Sequence, residues 1–205
     1  MKNINHINFH IFFAIILIIN TQLTIAGTPP RRPAIYGGTG TETYSFKLPP
    51  GWTTKKTNNN ECFEIYESRK VPPKEPEISL CFKMGNASSV AERHGFFKLD
   101  GQWVKGGSMD TGTASICETE SQLTISGEAS CGIDDAAGFH AAGGICRAVI
   151  VFGQTYSVTV DMITNRFGKP VPIRKDEALR KIVDSIRLSS PGSREGIKES
   201  LRSHD

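Results

Sequence analysis

The longest apolar run in the chain, residues 11–19 (IFFAIILII), lies near the start and is followed by the polar Asn20-Thr21-Gln22. Beyond it the apolar residues fall into short alternating stretches. Tyr44, Phe46 and Leu48 alternate with polar positions up to Pro49-Pro50-Gly51, which predicts a strand ended by a turn. Residues 61–67 (ECFEIYE) and 77–84 (EISLCFKM) predict two more strands joined through the turn-rich RKVPPKEP. A hairpin centred between Val71 and Pro72 would set Cys62 directly opposite Cys81. Ser89-Val90-Ala91-Glu92 reads as a capping box opening a short helix to about Phe97, with Val90, His94 and Phe97 on one face. A strand is expected to begin at Trp103, and shorter ones around 115–117 and 122–126.

The clearest β signal comes late. Residues 145–152 and 155–163 flank Gly153-Gln154, a pair suited to a two-residue II′ turn. Val149 and Val151 would share a buried face with Tyr156, Val158, Val160 and Met162. Cys146, Ala148 and Ile150 would lie on the other face with Thr159 and Asp161. A last amphipathic helix is predicted over residues 174–187, where Leu179, Ile182, Val183 and Ile186 recur at helical spacing. Asp176 and Glu177 favour its start and Arg187 its end. Strands, a mid-chain helix, more strands and a closing helix predict an α+β fold: a mostly antiparallel sheet with helices packed on it.

The two ends of this pattern, Tyr44-Ser45-Phe46-Lys47-Leu48-Pro49-Pro50-Gly51-Trp52 and Ala178-Leu179-Arg180-Lys181-Ile182-Val183-Asp184-Ser185-Ile186-Arg187-Leu188, resemble the opening and the closing helix of the Mog1/PsbP-like fold group. That group includes envelope proteins of the DcrB type. The resemblance covers about 20 residues and implies a fold and, by analogy, a binding or accessory role. It carries no catalytic set onto this chain.

The run at 11–19 is too short to span a bilayer. With Lys2 before it and small residues at Ala26-Gly27, it reads as a signal peptide over residues 1–26. The expected order is then a flexible Pro/Gly/Thr-rich lead-in over 27–41, one domain over 42–188 and a polar tail over 189–205, where GIKESLR could form a marginal turn of helix. The expected location is the periplasm or outside the cell. The chain has 24 Lys+Arg against 21 Asp+Glu, with the signs interspersed. That balance gives no footprint for nucleic acid and no polybasic membrane patch. No second apolar segment approaches spanning length, so no integral membrane segment is expected in the mature chain.

Five cysteines in an oxidising compartment allow two disulfides and one leftover thiol. The favoured set is Cys62 with Cys81, plus one bond among Cys117, Cys131 and Cys146. A Cys131–Cys146 bond would staple the irregular GIDDAAGFHAAGGI segment and leave Cys117 free. An unpaired cysteine with His140 or His94 as base, and Asp134 or Asp135 orienting it, would make a thiol enzyme. No cysteine stands in a known nucleophile context, there is no Cys-x-x-Cys, and no Gly-x-Ser-x-Gly occurs.

Asp134-Asp135 lacks the calcium-loop pattern, and His94 and His140 lack zinc spacing. No metal, cofactor or catalytic set is therefore expected. The Gly-Gly-Thr-Gly-Thr stretch at 37–41 has no Lys-Ser/Thr after it and reads as a linker rather than a phosphate loop. Asn86-Ala87-Ser88 is a glycosylation sequon, meaningful only in a eukaryotic source. Asp134, Asp135, Phe139 and His140 form a candidate binding loop, small and uncharged over 138–144 apart from one aromatic and one histidine. The expectation is a secreted or periplasmic protein that binds a protein partner, in its narrowest form an inhibitor or immunity protein against an envelope-acting toxin or hydrolase. The alternatives are a hydrolase or thiol enzyme using an unpaired Cys with His140, and a structural or accessory envelope protein of PsbP/DcrB type.

Overall fold

The structure, a computed structural model, describes residues 32–58, 61–68, 76–190 and 194–202. The expected signal peptide, the first part of the lead-in and the turn at Val71-Pro72 lie outside the described residues. The chain divides into two units, Met1–Arg32 and Pro33–Asp205, and every element below belongs to the second. In order these are β1 (Ile35–Thr39), β2 (Glu42–Phe46), β3 (Trp52–Lys56), β4 (Cys62–Glu67), β5 (Ile78–Met84), α1 (Ala87–Arg93), β6 (Phe96–Leu99), β7 (Gln102–Gly106) and β8 (Thr111–Glu118). There follow β9 (Leu123–Asp135), β10 (Gly138–Phe152), β11 (Tyr156–Arg166), β12 (Lys169–Pro170), α2 (Ile173–Ser185), β13 (Arg187–Leu188) and α3 (Arg194–Arg202).

The fold is α+β. One antiparallel sheet runs β3-β4-β5-β11-β10-β9-β8-β7-β6, with β12 attached to β11, and a small sheet runs β1-β2-β13. The register of β10 on β11 pairs Val149 with Val160 and Val151 with Val158, so these valines share one face. On that first face Val149, Val151, Tyr156, Val158, Val160 and Met162 join Phe63, Ile65, Ile78 and Leu80 in a core. Ala178, Leu179, Ile182 and Ile186 cover it from α2 and its end, and Tyr44 and Phe46 cover it from β2. On the second face Ala148, Ile150 and Phe152 pack with Leu123, Ile125, Phe96, Val90 and Ala91, closed by Ile197 and Leu201 of α3.

Polar ties hold the covering elements in place. The Tyr156 hydroxyl donates to the Thr43 carbonyl (2.7 Å) and accepts from the Ser189 N–H (2.9 Å), joining β11, β2 and the segment after β13. Gln122 donates from Nε2 to the Ile186 carbonyl (2.6 Å), satisfying the end of α2. Lys175, almost buried, pairs with Glu77, while Arg147 bridges Glu128 and Asp176.

Six features depart from the sequence reading. Residues 35–39, expected within a flexible lead-in, form β1 because they pair along β2 from Ile35↔Phe46 to Thr39↔Glu42. The stretch expected as a loose tail carries α3, whose Ile197 and Leu201 are buried in the second core. Helix α1 starts earlier than Ser89: Asn86 is the N-cap, its side chain accepting from the Ser89 N–H at 2.9 Å. The helix stops at His94 and Gly95 (φ 77°), so Phe97 belongs to β6 rather than to the helix. The β10–β11 turn is centred on Gln154-Thr155, because Gly153 donates to the Tyr156 carbonyl (2.8 Å) and closes the ladder itself. Finally, residues 138–144 are strand and not loop.

Cys62 and Cys81 face each other in register and are bonded, as are Cys131 and Cys146, while Cys117 is free and exposed. Two disulfides fit a protein that folds outside the cytoplasm. The bonds span 19 and 15 residues, so each constrains the unfolded chain by roughly 3 kcal/mol in the chain-entropy model. Replacing Cys62 and Cys81 together by Ser should lower the unfolding free energy by about 3 kcal/mol in denaturant titration. A thiol reagent should count one reactive cysteine per folded chain, abolished by Cys117→Ser.

Candidate functional site

Two places on the fold gather chemistry. The first is the far end of the β9–β10 hairpin. Its tip turns at Ala136-Ala137, with Asp134 opposite Phe139 and Ile133 opposite His140. Alternation puts Phe139 on one face of this two-stranded ribbon and His140 on the other. The Phe139 ring lies over Gly132, where a Cβ would come within 2.2 Å of it, and the side chain is 67% exposed. Across the ribbon His140 meets the ring of Phe167 edge-on, centroids 5.1 Å apart, and Phe167 is 46% exposed.

Three contacts fix this ribbon. The Cys131–Cys146 disulfide crosses its base, the Phe167 N–H donates to the Gly143 carbonyl (2.6 Å), and Asp135 caps the turn by accepting from the Ala137 N–H (2.7 Å). Asp135 also takes a hydrogen bond from His140 Nε2 at 3.1 Å. The Ala137 donor first, and His140 second, hold the Asp135 carboxyl below the usual carboxylate range. Asp134 is exposed and stands in register with Phe139 without joining this arrangement.

The second place is a groove of about 610 Å³ on the second face, between α1 and strands β5 and β11. The residues on its walls include Cys81, Lys83, Met84, Val90, Arg93, His94, Thr159 and Asp161. His94, at the C-cap of α1, points Nε2 at Asp161 Oδ1, 2.7 Å away. Lys105 stands close enough for Asp161 to favour its charge, although burial, the larger effect, pushes its ammonium down. Lys105 also lies 5.7 Å over the Phe96 ring and donates to the Gly106 carbonyl. Arg93 donates to the Met84 carbonyl across the groove.

These positions take apart the thiol-enzyme arrangement. Cys117 pairs with Thr124 on β9, whereas His140 pairs with Ile133 of the same strand. Nine residues of strand separate the two, about 30 Å at ~3.3 Å per residue. Cys117 also sits on the face of Thr124 and Val151, the first-core side, whereas the His94–Asp161 pair lies on the second. Neither histidine can therefore serve Cys117 as a base, and the Asp134/Asp135 turn is equally remote from it. No cluster of three metal-ligating side chains occurs among the described residues.

Asp161, Lys83 and Arg93 are groove residues that the sequence reading assigned no role. For Asp161 the signal was present in β11, where Ser157, Thr159 and Asp161 interrupt an apolar strand at every second position. Phe167 was missed because it sits in a turn, at φ 49°, with no periodic pattern around it.

No protein-family model and no curated protein matches the chain. Among solved structures it is similar to cyanobacterial PsbP (CyanoP) from Synechocystis sp. PCC 6803, at 11% identity and a TM-score of 0.39, over 81% of this chain and 98% of that one. It is similar also to a protein from Bacteroides thetaiotaomicron VPI-5482, at 11% identity and a TM-score of 0.33, over 75% of this chain. The chain spans 46% of the length of that Bacteroides protein. The first of these belongs to the PsbP type that the two end segments resemble. Likeness this distant says nothing of activity, ligand or partner.

The hydrogen bonds at the hairpin tip set a pH dependence. Because the folded Asp135 value is depressed, its contribution is complete above the unfolded value, near 3.9, and is lost as pH falls through the folded one. An NMR titration should show Asp135 ionising below the usual range together with a shift of the Ala137 amide. His140→Ala should raise the Asp135 value only part of the way, since the larger Ala137 contribution remains.

Proposed function

We propose that this protein is an exported binding protein of the cell envelope, without catalytic activity of its own, that docks a protein partner through the tip of its β9–β10 hairpin. The observation that carries this reading is the pair of exposed aromatic rings, Phe139 on one face of a stapled ribbon and Phe167 against His140 on the other. Exposed aromatics on a rigid element are the usual anchors of an interface, because they bury large area at little ordering cost. The disulfide at the base of the ribbon supplies that rigidity. In the broader form of this role the partner is an envelope assembly that the protein accompanies. In the narrower form it is a hydrolase or toxin that the protein inhibits.

The test is capture of partners from an envelope or extracellular extract by the tagged protein, compared with Phe139→Ala, Phe167→Ala and the double variant. Both rings are exposed, so the variants should fold with unchanged circular dichroism, and the double variant should recover at least tenfold less of a stoichiometric partner. Equal recovery by wild type and double variant would remove the hairpin tip from the interface. Loss of a captured enzyme's activity on binding would select the inhibitor form, and full activity in the complex the accessory form.

A further inference from the structure

We propose that the groove between α1 and strands β5 and β11 binds a small amphipathic anion: a carboxylate or phosphate head on a short apolar body. The site is separate from the hairpin tip and does not rest on that reading. Its volume, about 610 Å³, lies within the range of small-molecule sites. Three observations give the ligand its chemistry.

The first is charge. Lys83 and Arg93 line the groove, and among the described residues neither has an acidic partner. Of the acids on its walls, Asp161 is held by His94 at 2.7 Å with Lys105 nearby, and Glu61 has an interaction of its own. Lys83, and Arg93 beside its bond to the Met84 carbonyl, are thus left to attract an anionic head through charge-assisted hydrogen bonds. The second is the apolar lining. Val90 and Cys81, the latter bonded to Cys62, bound the groove, and Phe82 and Met84 of β5 also stand on its walls. The third is the floor. Thr159 is fully buried, shares the face of Cys81 and Asp161, and its hydroxyl has no hydrogen-bond partner. A buried hydroxyl left unpartnered weakens the fold, and a polar group of a seated ligand would relieve that cost.

The experiment is calorimetric titration of the full mature chain with octanoate and with octyl phosphate, using 1-octanol and inorganic phosphate as tail-only and head-only controls. The expected result is saturable 1:1 binding of at least one octyl anion, with neither control binding at the same concentration. Amide shifts should be confined to residues 81–84, 90–94 and 159–161. Preference for octanoate or octyl phosphate then identifies the head group. Lys83→Gln should weaken binding about tenfold, the effect of one charge-assisted hydrogen bond.

Thr159→Val supplies a signature that a merely structural threonine would not give. It should leave the melting temperature unchanged or raised while weakening the ligand. Octanol binding as tightly as the anions, affinity unchanged by Lys83→Gln, shifts elsewhere on the surface, or no saturable binding of either anion would each overturn the proposal.

Discussion

The constraint on which this structure depends is the burial of one strand on both faces. Ala148–Phe152 of β10 is buried at every residue, with Val149 and Val151 turned to one core and Ala148, Ile150 and Phe152 to the other. A strand with no solvent side needs cover on both, and the chain provides α2 with the small β1-β2-β13 sheet on the first face and α1 with α3 on the second. A one-residue slip of β10 against β11 would move each of these side chains into the wrong core, so the ladder between them fixes the register of the whole sheet.

Everything with chemical character lies where this double cover ends. Strand β11 keeps its apolar side, Tyr156 to Met162, against α2, but on its other side carries Ser157, Thr159 and Asp161. The second-face cover reaches only as far as α1, and beside it Cys81 and Lys83 of β5 and Thr159 and Asp161 of β11 line the groove. Along the strand direction the same thing happens at the far end of β9 and β10. These outlast their neighbour β11, which turns at Phe167, and the ribbon that remains is held by a disulfide rather than by packing.

Much of this was legible in the sequence, and for identifiable reasons. The alternation at 145–163 gave the faces of β10 and β11, because period-2 patterning reports burial directly. The symmetric placement of Cys62 and Cys81 about the turn-rich segment gave their register before any contact was seen. What patterning could not reach were elements whose stability is tertiary. Ile35–Thr39 is rich in glycine and threonine, and becomes a strand only because β2 offers a ladder. Residues 194–202 are polar in all but two positions that face the core, Ile197 and Leu201, so helix α3 is marginal until those two find the second core. The segment 138–144 looked like a loop because its small residues have low strand propensity. Close neighbours explain two of them: a Cβ at Gly143 would come within 3.0 Å of Phe167, and one at Gly144 within 2.7 Å of Ile133.

The same geometry explains why sequence proximity misled about the cysteines and histidines. In a sheet of long antiparallel strands, residues near in sequence can lie a strand-length apart, and residues distant in sequence can meet. His94 and Asp161 are 67 residues apart and share a hydrogen bond, while Cys117 and His140, much closer in the chain, stand at opposite ends of β9. Cys117 is left exposed near the end of β8, remote from both the His94–Asp161 and the His140–Asp135 pair. What the sheet does bring together is a hydrogen-bonded His–Asp pair beside two cations without acidic partners among the described residues, and two aromatic rings on a braced ribbon. The ribbon's rings offer contact area to another protein, and the groove's cations offer charge to a smaller molecule. The two lie on different parts of the sheet.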